Sequence, residues 1–221
     1  MGDVNQLNWV HKNRDLIRGP VIEVGSRHYT SNSSVDYRGL CKGLEFVGVD
    51  LSQGDNVDVV IDFTADLKTI RAQLGERSFR TVICCSVLEH VEDVFTMARN
   101  MSAIVEPGGV MFLSAPFTWR FHGYPSDYWR FTPKALRFLF PDFEFRDDLS
   151  TISSNMPGDM RDLADDPNPF VVRPAEELKS RYRFLGRFGM FNRLRVATSL
   201  DNYHYMLAPS CINMVGFKTA A

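Results

Sequence analysis

The sequence lacks the features that would place a chain in a membrane, in an oxidising compartment or on nucleic acid. It has no apolar run near the roughly 18 residues of a membrane-spanning helix, and its first residues lack the basic and apolar regions of a signal peptide. It has only four cysteines, without a Cys-x-x-Cys pair or Cys/His ligand spacing. Its formal net charge of -2 gives no general attraction to nucleic acid or anionic lipid. We therefore expect a cytoplasmic protein with reduced thiols, no membrane contact and no nucleic-acid partner.

Short apolar runs that alternate with helical patterns indicate the fold. The runs are rich in β-branched and aromatic residues and are bounded by Gly, Pro, Asp or Ser, which is typical of buried strands. Strands are predicted at residues 20–25, 45–50, 57–62, 81–85, 110–114, 143–149 and 212–218, and helices at 65–74, 91–105 and 132–140. This alternation predicts an α/β fold with a doubly wound, mostly parallel sheet of seven strands, covered by helices on both faces.

A single domain over residues 1–221 accounts for the length and for a hydrophobic content of 44%. An N-terminal helical segment, 1–19, precedes the sheet. Two irregular segments, 117–131 and 150–210, are predicted to lie on the substrate side, and the second is predicted to contain a helix near 175–185. A basic run at 179–195 is interleaved with aromatic residues, which indicates either a solvated helix face or a site for an anionic substrate.

Acidic residues and a glycine follow the first strands, where open α/β sheets bind their ligands. Glu23 precedes Gly25, which lets a ligand approach the backbone. Asp50 ends the second strand about 25 residues later, where a carboxylate accepts both hydroxyls of a ribose, and Asp62 ends the third, within reach of an adenine. A nicotinamide dinucleotide fits less well. The stretch Gly25-Ser-Arg-His-Tyr-Thr lacks the later glycines of a pyrophosphate loop, and Glu23 would repel the pyrophosphate.

Five motifs in order resemble those of class I S-adenosylmethionine-dependent methyltransferases. They are Val-Ile-Glu-Val-Gly-Ser, Phe-Val-Gly-Val-Asp-Leu-Ser, Ile-Asp-Phe, Cys-Ser-Val-Leu-Glu-His-Val-Glu-Asp-Val and Glu-Pro-Gly-Gly-Val-Met-Phe-Leu-Ser-Ala-Pro. They fall within about residues 20–140. The resemblance implies a Rossmann-like methyltransferase fold with an antiparallel last strand, and S-adenosylmethionine as the cofactor. The family's first motif has further glycines where this sequence has Arg27 and Tyr29, which leaves a non-catalytic relative open.

The resemblance also implies a role for each motif. Glu23 and Gly25 would face the methionine part of the cofactor, Asp50 the ribose, Asp62 with Phe63 the adenine, and the segment after the fourth strand the sulfonium. The implied cofactor-binding residues are Glu23, Gly25, Ser26, Asp50, Leu51, Asp62, Phe63 and Ser86.

Residues 117–131, which we call the aromatic loop, combine aromatic and ionisable side chains after the fifth strand. Methyl transfer to a hydroxyl is helped by a base with a pKa near neutral, which His122 fits. Asp127 would orient the imidazole, and an arginine would pair with an anionic acceptor. We predict His122 and Asp127 as catalytic residues, and Trp119, Arg120, Tyr124, Tyr128, Trp129 and Arg130 as acceptor-binding residues. The alternative is that His122, Asp127 and Arg130 form a polar network that pins the loop.

The predicted function is methyl transfer to a hydroxyl oxygen of a small molecule, such as an anionic or sugar-containing compound. The aromatic loop resembles a subgroup of bacterial-type methyltransferases associated with sugar or polysaccharide modification. N-methylation of a small molecule, a non-catalytic cofactor-binding role and an NAD-dependent oxidoreductase are the alternatives, and a homodimer is left open. No metal site is predicted, because no carboxylate cluster has ligand spacing. Glu89 and His90 are interpreted as a helix cap or loop-stabilising pair, with catalysis as the alternative.

Overall fold

An eight-stranded sheet forms the centre of the part of the chain that the computed structural model describes, residues 3–28, 35–123, 125–172 and 206–220. Its strands are β1 (Val21–Val24), β2 (Phe46–Asp50), β3 (Val59–Val60), β4 (Phe79–Cys85), β5 (Val105–Thr118), β6 (Phe143–Ser154), β7 (Met160–Asp162) and β10 (Ser210–Lys218). A separate two-stranded sheet pairs β8 (Val171–Val172) with β9 (Met206–Leu207).

The strand order is β3-β2-β1-β4-β5-β10-β6-β7. The strands from β1 to β5 pair in parallel, whereas β10 is antiparallel to both β5 and β6. This confirms the predicted α/β fold, with its mostly parallel sheet and antiparallel last strand. The chain runs outward from β1 to β3 and then returns to place β4 on the other side of β1, so the switch point lies between β1 and β4.

The described residues form five α-helices: α1 (Val4–Lys12), which precedes β1, and α2 (Tyr37–Leu40), α3 (Leu67–Gln73), α4 (Val94–Ala103) and α5 (Pro133–Leu139), which lie between strands. A 3-10 turn, Leu88–His90, stands between β4 and α4. The helix predicted at 91–105 begins later than expected because Asp93 accepts a hydrogen bond from the Thr96 amide and caps it. None of the helices described is long and apolar enough to cross a membrane.

Alternate side chains of the central strands enter two buried clusters, one on each face of the sheet. Cys84 and Leu113 belong to one cluster, whereas Ile83 and Phe112 belong to the other. Trp9 of α1 packs edge-on against Phe112, with ring centroids 5.5 Å apart. The sheet is therefore covered on both faces, as a doubly wound fold requires.

The segment predicted to be irregular, 150–210, contains more regular structure than expected. Strand β6 continues to Ser154, and β7 adds an eighth strand beyond the seven predicted. The sequence hid this because the added part of β6 is rich in Ser and Thr, which usually mark loops. These side chains are buried and paired: Asn213 Nδ2 donates to Thr151 Oγ1 at 3.1 Å and to Ser153 Oγ at 3.0 Å. The predicted helix at 175–185 and the basic run at 179–195 lie outside the described residues.

Candidate active site

A cleft of about 860 Å³ opens at the carboxyl ends of β1, β2 and β4, at the switch point of the sheet. Residues of several separate segments line it, and the aromatic loop contributes Gly123 and Pro125. The predicted cofactor-binding residues that line it are Gly25, Asp50, Leu51, Asp62, Phe63 and Ser86.

Gly25 brings the backbone at the end of β1 up to the cleft. Its φ is +77°, in the left-handed region, and a Cβ at this position would overlap Val87 Cγ2. Glycine is therefore required both by the backbone conformation and by the space. Val87, which also lines the cleft, packs directly against this backbone.

Asp50 and Asp62 place two carboxylates on the cleft, after β2 and β3. Asp50 Oδ1 accepts from the Ser52 amide at 3.1 Å. Asp62 Oδ1 accepts from the Thr64 amide at 2.8 Å and from Thr64 Oγ1 at 2.6 Å. Local bonds thus hold both side chains in place, while Asp62 Oδ2 has no hydrogen bond to any residue in the described ranges. The pair can accept hydroxyl or amino hydrogens from a ligand.

Ser86 follows β4 in an unusual conformation, with a φ of +56°. Its amide donates to Ser114 O at 2.9 Å. Gln6 of α1 donates from Nε2 to Ser86 Oγ at 2.9 Å and to Ser114 Oγ at 2.8 Å. The sequence gives no signal for Gln6, because its partners are far away along the chain. The N-terminal helix is thereby tied to the cleft.

Glu23 and Ser26, also predicted to bind the cofactor, do not line the cleft. Glu23 is only 5% exposed and accepts from Asn56 Nδ2 at 3.0 Å. Burial raises the pKa of Glu23 to about 7, although the Asn56 hydrogen bond opposes the shift. Ser26 is buried and donates to Asn56 O at 2.9 Å. In the structure both residues hold the segment after β1 against Asn56, and so position the cleft wall from behind.

The aromatic loop is fastened to the 3-10 turn after β4. The Tyr128 amide donates to Glu89 O at 2.7 Å, and Trp129 Nε1 donates to Val91 O at 2.8 Å. His90 Nδ1 lies 2.6 Å from Ser126 O. These contacts hold the loop beside the cleft, although its described residues between β5 and α5 form no helix or strand.

Asp127 is the centre of the polar network inside this loop. Its side chain is 1% exposed and accepts from Arg130 at 2.5 and 2.8 Å, and from the His122 amide at 2.8 Å. His122 Nδ1 lies 3.1 Å from Asp127 Oδ2, so Asp127 contacts the imidazole. The Arg130 hydrogen bonds hold the pKa of Asp127 well below its usual range.

Arg130 is fully engaged within the loop. Besides Asp127 it donates to the carbonyl oxygens of Trp119, Arg120 and Trp129. Its guanidinium is therefore not free to pair with an acceptor anion, and the structure favours the network that pins the loop.

Four other predicted acceptor-binding residues do not line the cleft: Trp119, Arg120, Tyr128 and Trp129. Trp129 packs against the core, Trp119 is half-buried, and Arg120 and Tyr128 are exposed. Tyr124 lies outside the described residues. The expected aromatic wall is therefore replaced, among the residues described, by Gly123 and Pro125.

Glu89 and His90 have a larger part in the site than the helix cap that the sequence suggested. His90 lines the cleft, and its ring lies edge-on to that of His122, with centroids 5.0 Å apart. Glu89 is 1% exposed, and burial raises its pKa to about 7. Burial also lowers the pKa of His90. Their position directly after β4, at the switch point, was the available sequence signal.

Comparison with known proteins gives this cleft a chemical context. Residues 33–113 match a family model described as a methyltransferase domain. A search of curated proteins finds no match. Among solved structures, the YcgJ protein of Bacillus subtilis aligns with a TM-score of 0.55 at 14% identity, over 98% of this chain and 99% of its own. A SAM-dependent methyltransferase from Archaeoglobus fulgidus aligns with a TM-score of 0.53 at 14% identity, over 95% of this chain and 91% of its own. A SAM-dependent methyltransferase from Anabaena variabilis aligns with a TM-score of 0.52 at 13% identity, over 98% of this chain and 86% of its own.

At these identities the solved structures show the fold, which is the Rossmann-like methyltransferase fold. The family match adds a chemical indication, because residues 33–113, which include Asp50, Asp62 and Ser86, resemble a methyltransferase domain.

Proposed function

We propose that the chain binds S-adenosylmethionine in the cleft at the switch point and methylates a hydroxyl oxygen of a small molecule. Asp50 would accept the two ribose hydroxyls, Asp62 would accept from the adenine amino group beside Phe63, and Gly25 would lie against the methionine part. The observation that carries this proposal is the pair of carboxylates on a cleft whose wall at Gly25 has no room for a side chain.

The bound cofactor supplies an electrophilic methyl group, and the protein must hold an acceptor oxygen about 3 Å from it. Ser86 and His90 line the cleft together, next to Gly123 and Pro125 of the aromatic loop. This end of the cleft is where an acceptor would meet the methyl group. Removal of its hydroxyl proton falls to the neighbouring histidines, where Asp127 fixes the His122 ring.

Calorimetry with S-adenosylhomocysteine tests the cofactor site. We expect binding that Asp50→Ala weakens by roughly 10-fold to 100-fold, because hydrogen bonds to a charged group contribute about 1.5–3 kcal/mol each. Asp55→Ala is the matched control, since Asp55 is an exposed carboxylate in the same loop that does not line the cleft. Binding of NAD without binding of the thioether would contradict the proposal.

The acceptor is tested separately, by a screen with radiolabelled methyl donor over sugars, phenols, amines and phosphorylated alcohols. We expect label in compounds that offer a hydroxyl. Transfer to amines alone would replace O-methylation by N-methylation, and a protein that binds the thioether but labels no member of the panel would favour a non-catalytic role.

A further inference from the structure

Glu89, His90 and His122 bring one carboxylate and two imidazoles together beside the cleft. Their candidate ligand atoms all lie within 4.8 Å of one another, and Glu89 Oε1 is 3.8 Å from His90 Nε2. The side chains are 2%, 10% and 24% exposed, in that order. The group is therefore shielded from water on most sides but reaches the cleft through His90.

Hydrogen bonds fix the protonated nitrogen of both rings. His90 Nδ1 lies 2.6 Å from Ser126 O, which is only an acceptor. His122 Nδ1 lies 3.1 Å from Asp127 Oδ2 and 3.2 Å from Arg120 O, which are both acceptors. In each neutral ring the proton therefore sits on Nδ1, and Nε2 keeps its lone pair. Metal-binding histidines are oriented in this way by carboxylates and backbone carbonyls.

One carboxylate oxygen of Glu89 and the Nε2 atoms of His90 and His122 have no hydrogen-bond donor among the described residues. Glu89 Oε2 is buried and has no hydrogen-bond partner among the described residues. In the same ranges neither Nε2 atom takes part in a hydrogen bond. A buried carboxylate oxygen without a partner normally costs about 1–3 kcal/mol or more. A buried carboxylate with one unpartnered oxygen, close to two imidazoles, is an arrangement that a cation would satisfy.

We propose that Glu89 and the Nε2 atoms of His90 and His122 bind a divalent transition-metal ion. Two imidazoles favour ions of the zinc type over magnesium or calcium, which prefer oxygen ligands. Three protein ligands leave a position open for water or substrate, as in catalytic zinc sites. Bonds of about 2.0–2.2 Å place ligand atoms roughly 3.3 Å apart, so the side chains need to close by up to about 1.5 Å.

A metal ion held by Glu89, His90 and His122 would take part in the methyl transfer by activating the acceptor. This role rests on the proposed function. An acceptor hydroxyl that occupies the open position loses its proton to solvent more readily, because a bound cation lowers its pKa. With the ion bound, His122 acts as a ligand and no longer as the base that accepts the proton, and Asp127 and Arg130 position it. The acceptors favoured by such a site carry a second oxygen next to the methylated one, which can share the ion.

Zinc binding by the full chain, stripped with a chelator and without cofactor, tests the site directly. We expect one equivalent of Zn²⁺ by calorimetry, and a visible absorption band when Co²⁺ takes its place. Glu89→Gln and His122→Ala should each weaken Zn²⁺ binding by roughly 100-fold or more. His11→Ala is the control, because His11 is exposed on α1 and away from the cleft lining.

The melting temperature of Glu89→Gln also distinguishes loss of the metal site from loss of the fold. A glutamine amide can donate to an imidazole nitrogen that the carboxylate leaves unpaired, so the metal-free variant should melt at or above the wild-type temperature. Zn²⁺ affinity equal in the wild type, Glu89→Gln and His122→Ala, or no Zn²⁺ binding at all, would overturn the site. S-adenosylhomocysteine is titrated into the same stripped protein: its failure to bind while Zn²⁺ still binds would instead overturn the proposed cofactor cleft.

Discussion

A single methyl group at Gly25 would distort the cleft wall that Gly25 and Val87 form together. The Cβ would overlap Val87, and the φ of +77° already disfavours any other residue. We predict that Gly25→Ala weakens S-adenosylhomocysteine binding by roughly 10-fold or more in calorimetry. The matched control is Gly43→Ala, where φ is +92° but no atom lies within 4 Å of the added Cβ. Equal effects of the two substitutions would show that strain alone, rather than the shape of the cleft, is responsible.

Glu23 makes the stability of the ligand-free protein depend on pH. Its pKa rises from an ordinary value of 4.5 to about 7 because of burial. Between these values the native state holds a proton that the unfolded chain has released, so the free energy of unfolding falls as pH rises through this window. Glu23→Gln keeps an acceptor for Asn56 and removes the charge, so it should stabilise the protein at pH 8, by at most about 3 kcal/mol, and have little effect at pH 4.5.

Thermal unfolding of the two proteins at both pH values measures this difference. Glu144→Gln, on an exposed position of β6, is the control for loss of a surface charge. A stabilisation by Glu23→Gln that is the same at both pH values would mean that Glu23 does not titrate between them.

At the scale of elements, the sequence located the buried parallel strands well, because short β-branched apolar runs bounded by turn residues are typical of buried strands. It failed where a local signal was overruled by pairing. The predicted helix ran to residue 105 and the predicted strand began at 110, but Phe79 pairs with Val105 and Thr81 pairs with Val110. The residues between them bulge out within one continuous strand, because the ladder resumes after the shift.

In the aromatic loop, the sequence likewise indicated contacts within the segment but not its contacts with distant residues. Its composition offered, as the alternative to catalysis, a polar network of His122, Asp127 and Arg130, and these three side chains do contact one another around Asp127. It did not show that this network would face Glu89 and His90, because that contact depends on how the loop docks onto the turn after β4. Contacts between segments that are distant in sequence need the fold, and Gln6 on Ser86 is a second case.

For the whole molecule, the alternation of strands and helices along the chain was enough to predict a mostly parallel sheet, but the eighth strand was not predicted. In the observed order, β10 inserts between β5 and β6. It pairs Ile212 with Ala115 on one side and with Ile152 on the other. Within the sheet, the parallel half and the antiparallel half are therefore joined through β10.

This topology predicts that residues 1–209 do not fold without the strand that follows. Ile212, Met214 and Val215 are each fully buried, and burial of such side chains contributes about 1.5–3 kcal/mol each, a total comparable with the stability of a whole domain. Asn213 also bridges the halves, since it accepts from Ser114 Oγ at 2.6 Å and donates to Thr151. A chain ending at residue 209 should show no cooperative thermal transition by circular dichroism. A chain that lacks only residues 220–221 keeps all of β10 and should melt like the full chain. A cooperative transition in the shorter chain, within a few degrees of the full one, would mean that the parallel half of the sheet is stable by itself.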